Sequence, residues 1–315
     1  MKIIAHIGAH RTSSTSFQAY LDQHKNDLVR DGVAIWGSER TRKGLFAGLT
    51  PKPGPAYRKD VANRARGRIR MQLEQAEMQG ATTLLVTEEN MMGSTRSNLR
   101  AGQLYPAIGQ KMARFDWAFD HRIDRIILSI RSHEFWWSSA IAYAVSRGAS
   151  IPSPLELEGI AANRRGWRDV ITDLHCAMPE AEILAMPFEA FAGRPAVMLN
   201  CGAGVQAPAP GNVEWLNRSP ELSQLRRALK ARGETADILP DGHGRWSPFS
   251  DQQQADLREL YADDLFWLAA GADGLAKLVE DPLKETWRKN QASRAYKNDR
   301  GHSNDGRQQK VAQPG

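Results

Sequence analysis

The sequence predicts an α/β fold in which a parallel β-sheet is flanked by helices, and three observations carry that prediction. Five short apolar runs each close on polar residues or glycine, helical spacing of apolar residues recurs between them, and no internal repeat breaks the alternation. With 315 residues, 41% of them hydrophobic and 25% charged, the chain is long enough to bury a full core as one large domain.

The first run, KIIAHIG at 2–8, is a buried strand ending at Gly8, and SFQAYLDQHKNDLV at 16–29 sets Phe17, Leu21 and Leu28 at helical spacing. VAIWG at 33–37 is the second strand. An Arg/Lys/Gly/Pro-rich stretch from Arg40 to Lys59 reads as a loop, followed by a helix over roughly 60–79. TTLLVTEEN at 82–90 and DRIILSIRS at 124–132 share one plan, an apolar run with a polar end, and HEFWWSSAIAYAV continues the latter as a helix. AEILAMPFEAF at 181–191 holds a fifth strand; beyond it come a Pro/Gly/Ala connector at 202–211 and helices at 219–232, 250–270 and 274–290. Strands alternating with helices imply parallel βαβ units, whose ligands sit at the carboxyl ends of the strands. The expected domain spans 1–287, with an insertion around 40–80, and 288–315 reads as a polar, basic tail.

Charge narrows the classes of function. That tail carries seven Lys/Arg against two Asp, so most of the net charge of +6 sits there and the body is nearly neutral. General nucleic-acid binding loses its support. No apolar stretch reaches the length of a membrane span, and MKIIAHIGAH has too short a hydrophobic run for a signal peptide, so a cytoplasmic location is the expectation. Cys176 and Cys201 form neither a CxxC pair nor a His-rich cluster; no disulfide or zinc site is expected and both read as buried thiols.

Chemistry is expected first in HIGAHRTSSTSFQ, from His6 to Gln18. A turn from strand to helix gathers free N–H groups and the positive end of the helix dipole, and small hydroxyl residues let a phosphate approach them. The stretch lacks the Gly-Lys pair of GxxxxGK[ST] and offers Arg11 as its cation. It resembles the 5′-phosphosulfate loop of P-loop sulfotransferases, in the bacterial form that reads roughly HIGxHKTGTTSLQ. That resemblance places the family's Lys on Arg11, its Thr on Thr12, its Gly on Ser13 and its two Thr on Ser14 and Thr15. A second echo lies in IILSIRSHEFWWSSAIAY: Arg131 ends a strand and Ser139 follows eight residues later, the arrangement with which the family binds the 3′-phosphate of its donor. Weaker echoes are AMPFEAF at 185–191 and NRSPELSQLRRAL at 217–229.

The resemblance implies a P-loop-like three-layer sandwich and transfer of a sulfuryl group from 3′-phosphoadenosine 5′-phosphosulfate (PAPS) to a hydroxyl or amine on a small molecule or glycan, with no metal. Gly8, Arg11, Thr12, Ser13, Ser14, Thr15, Ser16, Arg131 and Ser139 would bind the donor, and Arg11 would offset charge on the leaving phosphate. The base is expected at the end of TTLLVTEE. Strand pleating puts Glu89 on the side of Thr87 and Glu88 on that of Leu84 and Val86, which favours Glu89; His10 and His133 are the rivals. The Arg-rich run from Arg40 to Arg70 reads as a solvated face or as a steering patch for an anionic acceptor, and Trp136 and Trp137 as core. A kinase would need a Gly-Lys-Ser/Thr loop and a magnesium-binding Asp. The alternative from another class is a silent nucleotide- or glycan-binding protein, since the loop lacks the family's Lys and Gly.

Overall fold

In the computed structural model, which describes residues 1–49, 59–208 and 215–282, six parallel strands form one sheet in the order β2-β3-β1-β4-β5-β6. These are β1 (Lys2–His6), β2 (Val33–Trp36), β3 (Thr83–Thr87), β4 (Arg125–Ile130), β5 (Glu182–Pro187) and β6 (Lys277–Leu278). Five of them coincide with the apolar runs of the sequence. Strands buried on both faces need no polar alternation, and that is why these runs are continuous.

The pleat divides the core in two. Ile3, Ala5, Leu84, Val86, Ile126, Leu128 and Ile183 pack on one face, where the helices Lys59–Met78, Ile108–Ala118, His133–Ser146 and Trp167–Ala177 supply Ile69, Met112, Ile141 and Val170. Ile4, Leu85, Ile127 and Met186 pack on the other against Phe17, Leu21 and Leu28 of the helices Ser14–Gln23 and Lys25–Arg30. Helix, sheet and helix make three layers. Each fully buried Leu or Ile contributes roughly 1.5–3 kcal/mol of transfer free energy. Trp136 and Trp137 are core residues, 0% and 3% exposed.

From β1 the chain runs out to the edge strand β2, returns to β3, and then crosses β1 to reach β4. The direction of winding thus reverses around β1. In open α/β sheets a crevice forms at such a reversal, at the carboxyl ends of the strands.

Four expectations are corrected. The helix over 274–290 is replaced, within the described residues, by a turn at Ala272–Gly274 and β6, whose Lys277 and Leu278 pair with Leu184 and Ala185 on the open edge of β5. The stretch after Arg40 is not loop at its start: Ser38–Arg40 and Thr41–Leu45 coil into helical turns because the Thr41 hydroxyl and the Arg42 guanidinium both donate to buried Glu88. The single helix expected over 16–29 is two, broken at His24. Cys176 is exposed near the end of its helix and Cys201 is half-buried. Met1–Val279 and Glu280–Gly315 are separate units. The expected boundary at 287 and the basic tail lie outside the described residues, as does most of the loop after Leu49.

Candidate functional site

The polar ends of β1, β3 and β4 open on one cleft of about 120 Å³. Of the residues expected at a donor site, Arg11, Ser13, Ser14, Thr15, Arg131 and Ser139 line it, and so does Glu89. Gly8, Thr12 and Ser16 form the layer behind. The backbone after β1 stays tied to β4, through Ile7 N to Ile127 O at 3.0 Å and Ala9 N to Ser129 O at 3.1 Å, before turning into the Ser14–Gln23 helix. Gly8 has no room for a side chain, since a Cβ there would stand 2.7 Å from His6 Nε2 and 3.0 Å from Ser14 Oγ. Thr12 donates its hydroxyl to Ala9 O, and Ser14 donates to Gly8 O at 3.4 Å.

Two residues of this turn hold left-handed backbone, Arg11 at φ 67° and Ser13 at φ 65°. Each costs on the order of 1–2 kcal/mol for a residue with a Cβ. Ser13 precedes the helix without giving its first N–H groups a side-chain cap. Strained backbone of this kind concentrates at functional turns.

Two arginines dominate the electrostatics. Arg11 donates from Nε to Ser139 Oγ at 2.9 Å and from Nη2 to Ser219 Oγ at 3.2 Å, and its guanidinium lies 4.6 Å from the centre of the Tyr143 ring. Ser139 and Ser219 hydrogen bond each other. Arg131 is 7% exposed; its Nη1 donates to Arg11 O at 2.8 Å, its guanidinium lies 4.3 Å from the centre of the Phe188 ring, and its buried Nε has no partner. Among the described residues neither arginine has an ion-pair partner within 4.0 Å. Burial pushes both guanidinium groups down to about 10, with Arg245 adding to the effect on each. At neutral pH both remain cations, and Glu189 attracts Arg131 from beyond ion-pair distance. Arg218 and Arg245 also line the cleft.

The two glutamates after β3 part company. Glu88 is 3% exposed and accepts from Thr41 Oγ1 at 2.6 Å, from Arg42 Nε and Nη2 at 2.9 and 2.8 Å, and from the Asn90 N and Nδ2 at 3.0 and 2.8 Å. It is a buried anchor for the 38–45 turns. Glu89 opens the turn Glu89–Met91 and accepts from Gln18 Nε2 at 3.0 Å and Arg42 Nη2 at 2.8 Å. Gln18 also donates to Thr87 Oγ1 at 3.3 Å, which puts Thr87 and Glu89 on one side. Burial alone would raise the Glu89 carboxyl, but its own backbone N–H, Arg42 and His10 outweigh that and hold it below the usual carboxylate range.

Three histidines stand near the ends of the strands. His6, under the loop, bonds Thr87 Oγ1 through Nδ1 at 2.9 Å, and burial lowers it to about 4. His10 lines the cleft, bonded to Tyr105 OH at 3.0 Å and Asn90 Oδ1 at 3.3 Å, and burial lowers it as well. His133 does not line the cleft; it is wholly buried against Asp264 Oδ2 at 2.7 Å.

Sequence reasoning missed several cleft residues. Tyr143, Phe188 and Arg245 line the cleft and carried no signal of their own. Arg42 bonds the cleft residue Glu89 from a run that otherwise serves as an ordinary salt-bridged surface, as Arg64 with Asp60 and Arg70 with Glu74 show. Asn217 and Ser219 fall in the Asn-x-Ser echo: Asn217 Nδ2 donates to Thr15 Oγ1 at 3.1 Å, and Leu216 N donates to Ser16 Oγ at 3.0 Å. Among the described residues no group of three or more His, Cys, Asp or Glu is placed to hold a metal, and no helix is long and apolar enough to cross a membrane. No protein-family model, no curated protein and no solved structure matches this chain.

Proposed function

We propose that the chain is a sulfotransferase that uses PAPS as donor, on a P-loop-like variant of the parallel sheet. One observation carries the reading. Two arginines with no ion-pair partner among the described residues, the half-buried Arg11 and the buried Arg131, converge from loops 120 residues apart on the start of a helix that Ser13 leaves without a side-chain cap. Such a site is built for a ligand with strong, clustered negative charge. The family pattern that the loop resembles has Gly where this chain has Ser13, and Ser13 holds a left-handed backbone that Gly adopts without strain.

Arg131 and Ser139 would hold the 3′-phosphate, and the 8–16 loop the 5′-phosphosulfate. At about 120 Å³ the cleft is smaller than the ~300–1,000 Å³ of pockets for drug-sized ligands, so Arg11 would have to leave Ser139 and Ser219 to admit the nucleotide. That exchange would free Ser139 for the 3′-phosphate and turn Arg11 toward the leaving phosphate. Bound there, the donor supplies the sulfuryl group: an acceptor O–S bond forms, the S–O bond to the 5′-phosphate breaks, the hydroxyl proton passes to Glu89, and adenosine 3′,5′-bisphosphate leaves. Glu89 enters this step ionised and oriented by Gln18 and Arg42, as a general base must be. Positioning and electrostatic stabilisation supply the rest of the rate.

A nucleotide-binding protein without transfer activity is the second reading, and the engagement of Arg11 with Ser139, Ser219 and Tyr143 favours it. Thermal unfolding with ligands tests both. Adenosine 3′,5′-bisphosphate at a hundredfold excess over its Kd should stabilise the fold by about 2.7 kcal/mol. A response to ATP–Mg²⁺ with none to the bisphosphate refutes the nucleotide assignment. A response to the bisphosphate with no transfer from PAPS to a broad panel of hydroxyls and amines establishes the silent reading.

A further inference from the structure

A second cavity, of about 680 Å³, shares the walls Thr95 and Tyr143 with the cleft. Thr95 starts the Thr95–Ala101 helix six residues after Glu89, and Tyr143 lies on the His133–Ser146 helix, one turn beyond Ser139. The cavity therefore meets the cleft, which Glu89 also lines, at Thr95 and Tyr143, whereas Phe188 and Arg245 border the cleft alone. Its volume falls in the range of small-molecule sites. Tyr143 forms the partition: the Arg11 guanidinium from the cleft and that of Arg147 from the cavity each lie 4.6 Å from its ring centre.

The lining has two chemistries. Leu99, Ile141, Val145, Ile151 and Ile160 give it an apolar body, with Ile141, Val145 and Ile160 fully buried. Around them stand three exposed cations, Arg96, Arg100 and Arg147. Arg96 and Arg100 are four apart on one helix and so share a face. None of the three has an ion-pair partner among the described residues. The acid in the lining, Glu156, is committed elsewhere, accepting from Ser153 N and Oγ at 2.7 and 2.8 Å in a helix cap. Three unpaired guanidinium groups beside an apolar pocket suit a ligand with an apolar body and an anionic end.

We propose that this cavity is the acceptor site and that the acceptor is an amphipathic acid: an apolar body against Leu99, Ile141 and Ile160, an anionic group on Arg96, Arg100 and Arg147, and a hydroxyl directed to Glu89. The inference rests on the sulfotransferase reading for the fate of that hydroxyl, and on the cavity alone for the binding. It excludes neutral glycans as preferred acceptors, since the walls offer few uncharged hydrogen-bonding groups.

Calorimetry with two matched probes tests it, 12-hydroxydodecanoate and the uncharged 1,12-dodecanediol, on the full chain. The acid is expected to bind at least tenfold more tightly than the diol. The double substitution Arg96→Ala/Arg100→Ala, on exposed side chains that leave the core intact, should remove that preference while the diol is unaffected. Leu99→Trp, which crowds the apolar body of the cavity, should weaken binding of both probes and leave the thermal shift by adenosine 3′,5′-bisphosphate unchanged. Equal binding of acid and diol, no binding of either, or an acid affinity indifferent to the arginine substitutions overturns the proposal. The two readings fail separately. If the bisphosphate binds and the acid does not, the acceptor assignment falls alone; if the acid binds with the arginine dependence and the bisphosphate does not, the donor assignment falls and the acidic-ligand site stands.

Discussion

Replacing Arg131 by alanine removes a buried cation whose donors are only partly used. Its Nη1 donates to Arg11 O at 2.8 Å, whereas Nε and Nη2 donate to nothing among the described residues, and Nε is sealed from water. If these two groups engage a 3′-phosphate, two charge-assisted bonds form, at roughly 1.5–3 kcal/mol each. Their loss amounts to about 3–6 kcal/mol, which at 1.4 kcal/mol per decade weakens the bisphosphate by about 10²–10⁴-fold. Adenosine 5′-monophosphate lacks the 3′-phosphate and should lose less than about tenfold, the residue of lost long-range attraction. The substitution also lifts the cost of burying an unpaired cation, so the fold should survive it with little change in Tm. Titration calorimetry of both nucleotides against both proteins provides the comparison. Equal losses for the two nucleotides would refute the assignment of Arg131 to the 3′-phosphate.

Glu89→Gln should lower turnover by about 10²–10⁴-fold while the bisphosphate Kd stays within about twofold, because the amide keeps an acceptor for Arg42 but cannot take a proton; a rate within tenfold of wild type moves the base to His10. Glu88→Gln should instead act on stability, losing roughly 1–3 kcal/mol in denaturant unfolding, since it turns an amide N–H toward buried donors and weakens the pair with half-exposed Arg42; a loss below about 0.5 kcal/mol contradicts its role as anchor. Arg11→Ala is expected to cut turnover by about 10²–10³-fold and Arg11→Lys to retain part of the rate, measured at saturating donor; equal rates for the three proteins remove Arg11 from the chemistry. His6 is lowered from 6.5 to about 4, so the unfolded chain binds a proton that the folded chain refuses in that window. Its contribution is present above pH 6.5 and is lost as the pH falls toward 4, on the order of 3 kcal/mol in all, and His6→Asn should flatten that slope in urea titrations at successive pH values.

What the sequence determined by itself was the sheet. Strands covered on both faces read as unbroken apolar runs, so KIIAH, VAIW, TLLVT, RIILSI and EILAMP announce themselves, and the polar residues that close them mark the carboxyl edge. β6 has no such run; two residues become a strand because β5 offers them an open edge, a circumstance no local pattern encodes. The loop after β1 was legible as a hydroxyl-rich turn from strand to helix at the carboxyl edge, and it lines the cleft there. That Arg11 turns away to Ser139 and Ser219 was not, because its partners come from segments 128 and 208 residues distant. The glutamates show the division most clearly. Alternation separated Glu88 from Glu89, but set Glu88 among apolar neighbours; the fold brings Thr41 and Arg42 across to it from another connection, making a buried anchor of one carboxylate and a cleft residue of the other. Local periodicity fixes which way a side chain points. What waits for it there depends on chain topology, which only the folded chain decides.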